Sequence, residues 1–335
     1  MGNARNLADN LPITGQVAGR NLVINGDMTV AQRSTSISNE TANGYRTVDR
    51  MYTNASGATY SQSQQTVTVG GETGLPTQFT KYLRHNVTTG NNWSQIYHKI
   101  EDVTSVPAGT VTLSFYAKGT TPDSGLTVYC FQNFGSGGSS EVGISVSQTS
   151  TLTSTWQRFT IPITIPSMAG KTVGGNSHFY FGIGQGGSTS TNAWTLDITG
   201  LQLETGSDVT AFEHEPAAVN LAKCQRYYFQ SPSYNAGASG TGADVILYHT
   251  YLKAASNWEW LPQEFPVEMR ANPTITTSDG VTDGKIGHWT SGGGGSTQGH
   301  TPWQVLSKTN HVRVNEYATG NIFGFYYNYK ADAEL

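Results

Sequence analysis

The side chains in this sequence best suited to chemistry are aromatic: 7 tryptophans and 17 tyrosines stand among only 13% charged residues. A flat ring offers a contact to the apolar C–H face of a sugar, while neighbouring amides or carboxylates fix its hydroxyls. Trp93 beside Asn91 and Asn92, Tyr129 with Gln132, and Trp156 with Gln157 supply that combination early in the chain. Later, Trp258 and Trp260 alternate in NWEWLP and would share one side of a strand, while Trp289 and Trp303 lie in HWTSGGGGSTQGHTPW, residues 288 to 303. Glycines at that density permit unusual backbone angles, so the aromatics at either end could close on a ligand; a surface tip with no partner is the alternative. Aromatics at strand spacing also suit a core or a subunit interface.

Other chemistries find little support. The eight histidines, His85, His98, His178, His214, His249, His288, His300 and His311, never stand at HxxxH or HExxH spacing, which points to structural or surface roles. No GxSxG, no GxxxxGK[ST] and no Cys/His pairing at a known spacing occurs. GIGQGG at 182 to 187 is followed by no helical pattern, so it reads as a turn and not as a dinucleotide loop. With a formal charge of -4 and no Lys/Arg cluster, nothing favours nucleic acid or an anionic bilayer. No apolar run approaches the roughly 20 residues of a membrane helix, and the start MGNARNLADNLP lacks the charged and apolar regions of a secretory signal. Cys130 in LTVYCF and Cys224 in VNLAKCQRYY read as buried small hydrophobes and not as a disulfide, in keeping with folding in a reducing cytoplasm.

The elements that must position these residues are strands. With 39 glycines and long runs of Thr, Ser and Val, the 335 residues favour an all-β class and about two domains. Short apolar or alternating runs broken by Gly, Asn, Pro and Ser follow from residue 21: NLVINGDM, TQFTKYLRHNVT, NWSQIYHKIEDV, GTVTLSFYAKG, GLTVYCFQNF, TWQRFTIPITI, HFYFGIGQ and WTLDITGLQLE. In TVTLSFYA the residues Val111, Leu113, Phe115 and Ala117 alternate with Thr110, Thr112, Ser114 and Tyr116, so the first set faces a core. The stretch PAAVNLAKCQRYY, 216 to 228, is the one convincing helix start, with proline in its first turn. Strand patterns then resume in DVILYHTYLKA, FPVEMRANPTITTSDG, HVRVNEYA and IFGFYYNYKA, and the aromatic last strand suggests a C-terminus tied into a sheet or interface. The expected organisation is an arm over residues 1 to 20, a first domain over 21 to 215 and a smaller β-domain over 216 to 335.

A resemblance joins these pieces. NLVINGDMTVAQRSTS, YRTVDRMY, NNWSQIYHKIEDV, GTVTLSFYAKG, TWQRFTIPITIPS, LDITGLQLETGSDVTAFEHEP and AVNLAKCQRYYF, in this order, resemble the carbohydrate-binding-module-like jelly-roll domain of phage tail-fibre and other virion structural proteins. FPVEMRANPTIT and YYNYKADAEL are similar to the ends of such fibre proteins, so the likeness runs from Asn21 to Leu335. It implies a jelly-roll β-sandwich, then a short helix and a smaller C-terminal β-sandwich domain. It also implies that NLVINGD and LDITGLQLE lie side by side and close the first domain. Such modules often hold a structural calcium where these strands meet, and Asp27, Asp197 and Glu204 are the carboxylates placed to supply it, alongside backbone oxygens. The alternative is that Asp27 caps a turn and Asp197 bonds backbone amides.

The resemblance implies a homotrimeric, non-enzymatic virion component, made in the host cytoplasm and attached to another virion protein through residues 1 to 20. Its leading function would be that of a tail fibre binding host surface glycans through Trp93, Trp258, Trp260, Trp289 and Trp303. A capsid decoration or head-fibre protein is the alternative, because a jelly roll supports both. A glycan-degrading fibre enzyme is the third reading, with Glu101, Asp102, Asp123 and Glu141 as groove carboxylates. Depolymerising spikes usually carry long β-helix repeats, and no repeat of that period is present.

Overall fold

The computed structural model describes residues 19–335 apart from 69, 90–92, 124, 147–148, 187–191, 232–246, 254–258, 279–285, 291–294, 299–303, 306–307, 309 and 315–321. The protein is all-β, with two compact units, Met1–Ala217 and Ala218–Glu334. Most of the proposed arm, residues 1–18, lies outside the described residues, as do Trp258 and Trp303.

The first unit is an antiparallel β-sandwich. Its strands are β1 (Ser36–Glu40), β2 (Gly44–Tyr45), β3 (Tyr52–Ser56), β4 (Thr59–Thr66), β5 (Lys81–Thr89), β6 (Trp93–Glu101) and β7 (Gly109–Gly119). They continue with β8 (Leu126–Asn133), β9 (Val142–Ile144), β10 (Thr149–Ser150), β11 (Gln157–Ile165), β12 (His178–Gln185) and β13 (Trp194–Thr205). One six-stranded sheet has the order β1-β4-β5-β13-β7-β11; the other, of seven strands, runs β10-β8-β12-β6-β3-β2, with β9 added against β8. From β5 to β8 each strand crosses to the other sheet, as do β11, β12 and β13 in turn. Neighbours within a sheet are therefore distant in sequence, and the layers close as in a jelly roll.

Period-two alternation fills the space between the sheets. Val111, Leu113, Phe115 and Ala117 of β7 are fully buried, and they meet Val128 and Cys130 of β8 and Phe179, Phe181 and Ile183 of β12. Each such side chain contributes about 1.5–3 kcal/mol for the larger apolar types. Thr112 and Ser114, on the other face of β7, are buried as well. A strap after β13 covers them: the Thr112 hydroxyl donates to Gly206 O at 2.7 Å, and Gly206 N donates to Thr110 O at 2.8 Å.

NLVINGDM does lie beside β13, but as a turn-rich segment and not as the strand its apolar pattern suggested. Leu22 N donates to Leu203 O at 3.0 Å and Leu201 N to Gly26 O at 2.9 Å. Asn25 and Met28 take φ angles of 60° and 61°, the left-handed region, which turns the chain out of the extended conformation at both ends of this bend. The Asn25 side chain supports the bend, with Nδ2 donating to Val30 O and Asp49 O, each at 2.9 Å. The pleat of β13 yields in the same place: its pairing with β7 shifts between Thr199 and Gln202. A Cβ on Gly26 would collide with the Leu201 carbonyl oxygen, so only glycine allows this approach.

The second unit opens with helix α1 (Ala217–Gln225), directly after Pro216; Cys224 on it is buried, as is Cys130, and the two are not joined in a disulfide. The strands that follow are β14 (Tyr228–Gln230), β15 (Leu247–Lys253), β16 (Glu259–Glu264), β17 (Thr274–Ser278), β18 (Ile286–Thr290), β19 (Gly295–Gln298), β20 (Gln304–Val305), β21 (Asn310–Val314) and β22 (Ile322–Asp332). The last strand is central: β14 and β17 both pair with residues 328–332 or part of them, and β15 and β18 with the half that precedes. Two-sided pairing ties the C-terminal strand firmly into its sheet. The stretch 288 to 303 is in part a β18–β19 hairpin, with Trp289 opposite Gly295, and not one continuous loop.

Candidate functional site

Four adjacent strands build an aromatic outer face on the seven-stranded sheet. On β6 the residues Ile96, His98 and Ile100 are buried in the sandwich, which leaves Trp93, Gln95, Tyr97, Lys99 and Glu101 on the opposite side. By the same alternation β12 presents Tyr180, Gly182 and Gly184, β8 presents Thr127, Tyr129, Phe131 and Asn133, and β3 presents Tyr52 and Asn54.

Register assembles these into rows that cross the strands. Tyr52 stands opposite Tyr97, Tyr97 opposite Gly182, and Gly182 opposite Tyr129. In the next row Lys99 stands opposite Tyr180 and Tyr180 opposite Phe131. On the other side lies a polar row, Asn54, Gln95, Gly184 and Thr127. Ring centroids are 6.4 Å apart for Tyr52 and Tyr97, 5.4 Å for Tyr97 and Tyr180, and 4.8 Å for Tyr180 and Phe131, the last pair stacked at 15°. The strip spans three strand spacings, about 14 Å, and each ring is half-buried. At its end the Lys99 ammonium sits 4.8 Å from the Tyr52 centroid.

Glycine lets the rings lie against the sheet. A Cβ at Gly182 would strike the Tyr97 ring, and one at Gly186 would strike the Tyr129 ring. Polar side chains border the strip. Asn54 Nδ2 donates to the Tyr97 hydroxyl at 2.9 Å; Tyr180 donates to Glu141 Oε1 at 3.1 Å, and Asn133 Nδ2 to Glu141 Oε2 at 2.8 Å. Burial, with the Glu141 charge beside them, raises both the Tyr97 and Tyr180 phenols above their ordinary range. The rings stay neutral near pH 7 and keep their hydroxyl protons.

Of the tryptophans singled out by sequence, Trp93 belongs to this face: it is 39% exposed and stands opposite Ser56 at the start of β6. Trp260 lies in β16 and Trp289 in β18, both in the second unit. Tyr129 and Gln132 point to opposite sides of β8, and Gln132 is buried with Nε2 donating to Pro166 O at 3.2 Å. Trp156 is 3% exposed, donates its indole N–H to Glu72 at 2.8 Å, and packs edge-on against Tyr82 outside the six-stranded sheet. That indole is a structural anchor, not a platform.

The residues suggested for calcium do not fit it. Asp197 is held by Arg84 through two contacts of 2.7 and 2.8 Å, which occupy both carboxylate oxygens. Glu204 takes the Gln202 amide at 2.8 Å and lies 3.2 Å from Arg20 Nε. Asp27 caps its own turn, accepting from the Thr29 hydroxyl at 2.9 Å. Among the described residues no three His, Cys, Asp or Glu side chains gather at metal-holding distance. Of the suggested groove carboxylates, Glu141 borders the strip and Glu101 shares the outer side of β6, whereas Asp102 accepts from Thr104 N at 2.9 Å and Asp123 bonds Asn192.

Tyr52, Tyr97, Phe131, Tyr180 and Asn54 were not singled out by sequence reasoning. The usable signal was HFYFGIGQ, where Phe179, Phe181 and Ile183 alternate with Tyr180 and two glycines. A strand with an apolar inner set and glycines on its outer set has room for rings reaching over from its neighbours. Which strands are those neighbours is a matter of sheet order, and no local pattern encodes it.

No family model matches the chain, and no curated protein matches it in sequence. Among solved structures, the chain is similar to the enzymatically active domain of bacteriophage CBA120 tailspike protein 4, at 13% identity and a TM-score of 0.35, over 55% of this chain and 21% of that one. It thus spans about a fifth of the tailspike chain. It is also similar to the N-terminal cellulose-binding domain of Cellulomonas fimi β-1,4-glucanase C, at 20% identity and TM-score 0.28 over 45% and 90% of the two chains. A family 30 carbohydrate-binding module of a Clostridium thermocellum cellulosomal cellulase matches at 13% identity and TM-score 0.30, over 52% and 99%. No helix among the described residues is long and apolar enough to cross a membrane.

Proposed function

We propose that this protein is a non-enzymatic virion component of the tail-fibre type, whose first unit binds host surface glycans on the outer face of its seven-stranded sheet. The observation that carries the binding role is the strip Tyr52, Tyr97, Tyr180 and Phe131, four rings from four adjacent strands bordered by amide and carboxylate side chains. Pyranose rings stack by their C–H faces on such a surface, and Asn54, Asn133 and Glu141 are the groups that fix hydroxyls. The virion setting is supported by the ordered string of motifs from Asn21 to Leu335 that resembles phage fibre proteins. Three copies per fibre would turn a weak site into firm attachment.

The test is adsorption of the purified full chain to host cells, with the protein located on the particle by immuno-electron microscopy. The expected result is saturable binding to cells, loss of binding by Tyr97→Ala with Tyr180→Ala, and label at the tail. Label spread over the capsid lattice, or binding unaffected by the two substitutions, would contradict the proposal.

A further inference from the structure

The geometry points to Asn43 as a positioning residue that fixes the hydroxyl proton of Tyr97 outward, so that the centre of the aromatic strip offers a hydrogen-bond donor to the ligand. This rests on the proposed glycan-binding role of the face.

The assignment begins at a backbone amide, whose direction is fixed. Ala55 N donates to Asn43 Oδ1 at 2.7 Å, so the Asn43 amide nitrogen must occupy the other side. That Nδ2 donates to Asn54 Oδ1 at 3.2 Å, which in turn orients the Asn54 amide. Asn54 Nδ2 then faces the Tyr97 hydroxyl at 2.9 Å and uses one of its acceptor lone pairs. A phenol that accepts from an N–H on this side keeps its own proton for another direction. One backbone N–H thereby sets the polarity of two amides and a phenol in series.

The ring itself has little freedom to evade this. It lies over Gly182, where any Cβ would strike it, and between the rings of Tyr52 and Tyr180 at 6.4 and 5.4 Å. Glu141 supplies the opposite polarity at the border, since it accepts from both Tyr180 and Asn133. A ligand matched to this face places an acceptor oxygen, whether hydroxyl, ring or glycosidic, over Tyr97 and an O–H donor toward Glu141. Oligosaccharides carry both groups at short intervals.

Replacing one nitrogen by oxygen inverts the series. In Asn43→Asp, one carboxylate oxygen still accepts from Ala55 N, but the other confronts Asn54, whose amide must turn to donate. Asn54 Oδ1 then faces Tyr97, whose hydroxyl donates inward and loses its free proton. Asn54→Asp makes the same inversion one step closer to the ring.

Two readouts test this on the full chain. The first uses the free protein: the ionisation of Tyr97 is followed by NMR of Cζ-labelled tyrosine, with Tyr97→Phe to assign the resonance. Asn43→Asp and Asn54→Asp are each expected to raise it further, because the phenolate loses the Asn54 N–H; an unchanged Tyr97 titration in both overturns the relay. The second is calorimetric binding of cellohexaose and xylohexaose. Asn43→Asp is expected to weaken binding about five- to tenfold, the equivalent of one hydrogen bond of about 1–1.4 kcal/mol. Tyr97→Phe is expected to lose as much, and the double variant no more than Tyr97→Phe alone. A further loss in the double variant overturns the positioning role. Failure of the wild type to bind either hexamer counts against the glycan reading, and the titration alone then decides the relay.

Discussion

Two fully buried histidines make the first unit sensitive to mild acid. His85 on β5 is enclosed by Tyr60 and Trp194, with ring centroids 5.2 and 5.6 Å away, and its Nε2 meets the Ser94 hydroxyl at 2.8 Å. Burial holds its pKa down to about 3. His98 on β6 is buried against Phe181, and its Nε2 accepts from Ile24 N at 3.3 Å, a role open only to the neutral ring. Burial first, and the nearby Arg50 cation second, hold it well below its ordinary value. In the unfolded chain both rings regain a pKa of about 6.5.

Because the folded values lie below the unfolded one, the stability that neutral His85 and His98 confer is present above pH 6.5 or so and is lost as pH falls beneath it. Each ring costs about 1.4 kcal/mol per pH unit in that range, so two rings remove about 4 kcal/mol between pH 7 and pH 5. His214, exposed but with its ring against Phe79 and Phe212, has its pKa lowered by desolvation and adds a smaller loss of the same sign. The carboxylates held low act in a more acidic window. Glu40, held low by the Ala42 and Thr41 amides, and Asp102, held low by Thr104, lose their contribution only below about pH 4.5. The assay is urea unfolding at pH 7 and pH 5, read by the fluorescence of Trp194 against the His85 ring. In His85→Gln the drop between the two pH values should shrink to about half. Equal unfolding free energies at pH 7 and 5, or a drop in His85→Gln as large as in the wild type, would refute the reasoning.

Other consequences are as specific. Gly26→Ala forces a Cβ into the Leu201 carbonyl and should destabilise the first unit by about 1–3 kcal/mol, seen as a lower urea midpoint. Gly182→Ala collides with the Tyr97 ring instead; binding to the aromatic face should fall about tenfold or more while the circular dichroism spectrum is kept. Since Arg84 already occupies Asp197 and Arg20 lies against Glu204, EDTA should leave the thermal midpoint of the first unit unchanged. Arg84→Met, which strands the buried Asp197 carboxylate, should lower that midpoint, with a loss on the order of 1–3 kcal/mol by chemical denaturation.

Much of this architecture is legible in the sequence because period-two alternation survives in it. The four core residues of β7 were marked by TVTLSFYA, and Pro216 marked the start of the helix. The segment Asn21–Met28 misled in its type, because its apolar residues serve a turn held by the left-handed angles of Asn25 and Met28. Carboxylates misled for a related reason. Asp197 and Glu204 look like metal ligands on a strand, yet the arginines that neutralise them come from residues 84 and 20. Trp93 and Tyr129 were marked and lie on the aromatic face, but its four-ring strip escaped notice because those rings come from residues 52, 97, 131 and 180, brought side by side only by the crossovers between sheets. Tryptophan drew attention by its size, whereas the face is built mainly of tyrosine on strands floored by glycine.

The most direct measurement is a glycan array probed with the full chain, its Tyr97→Ala/Tyr180→Ala variant, and Thr164→Ala on the exposed side of β11 as a control in the other sheet. The account expects the wild type and the control to share one set of bound glycans and the double variant to lose it, with all three still folded at the assay temperature by circular dichroism. Retention of the same glycans by the double variant would contradict it and move any glycan site off the seven-stranded sheet.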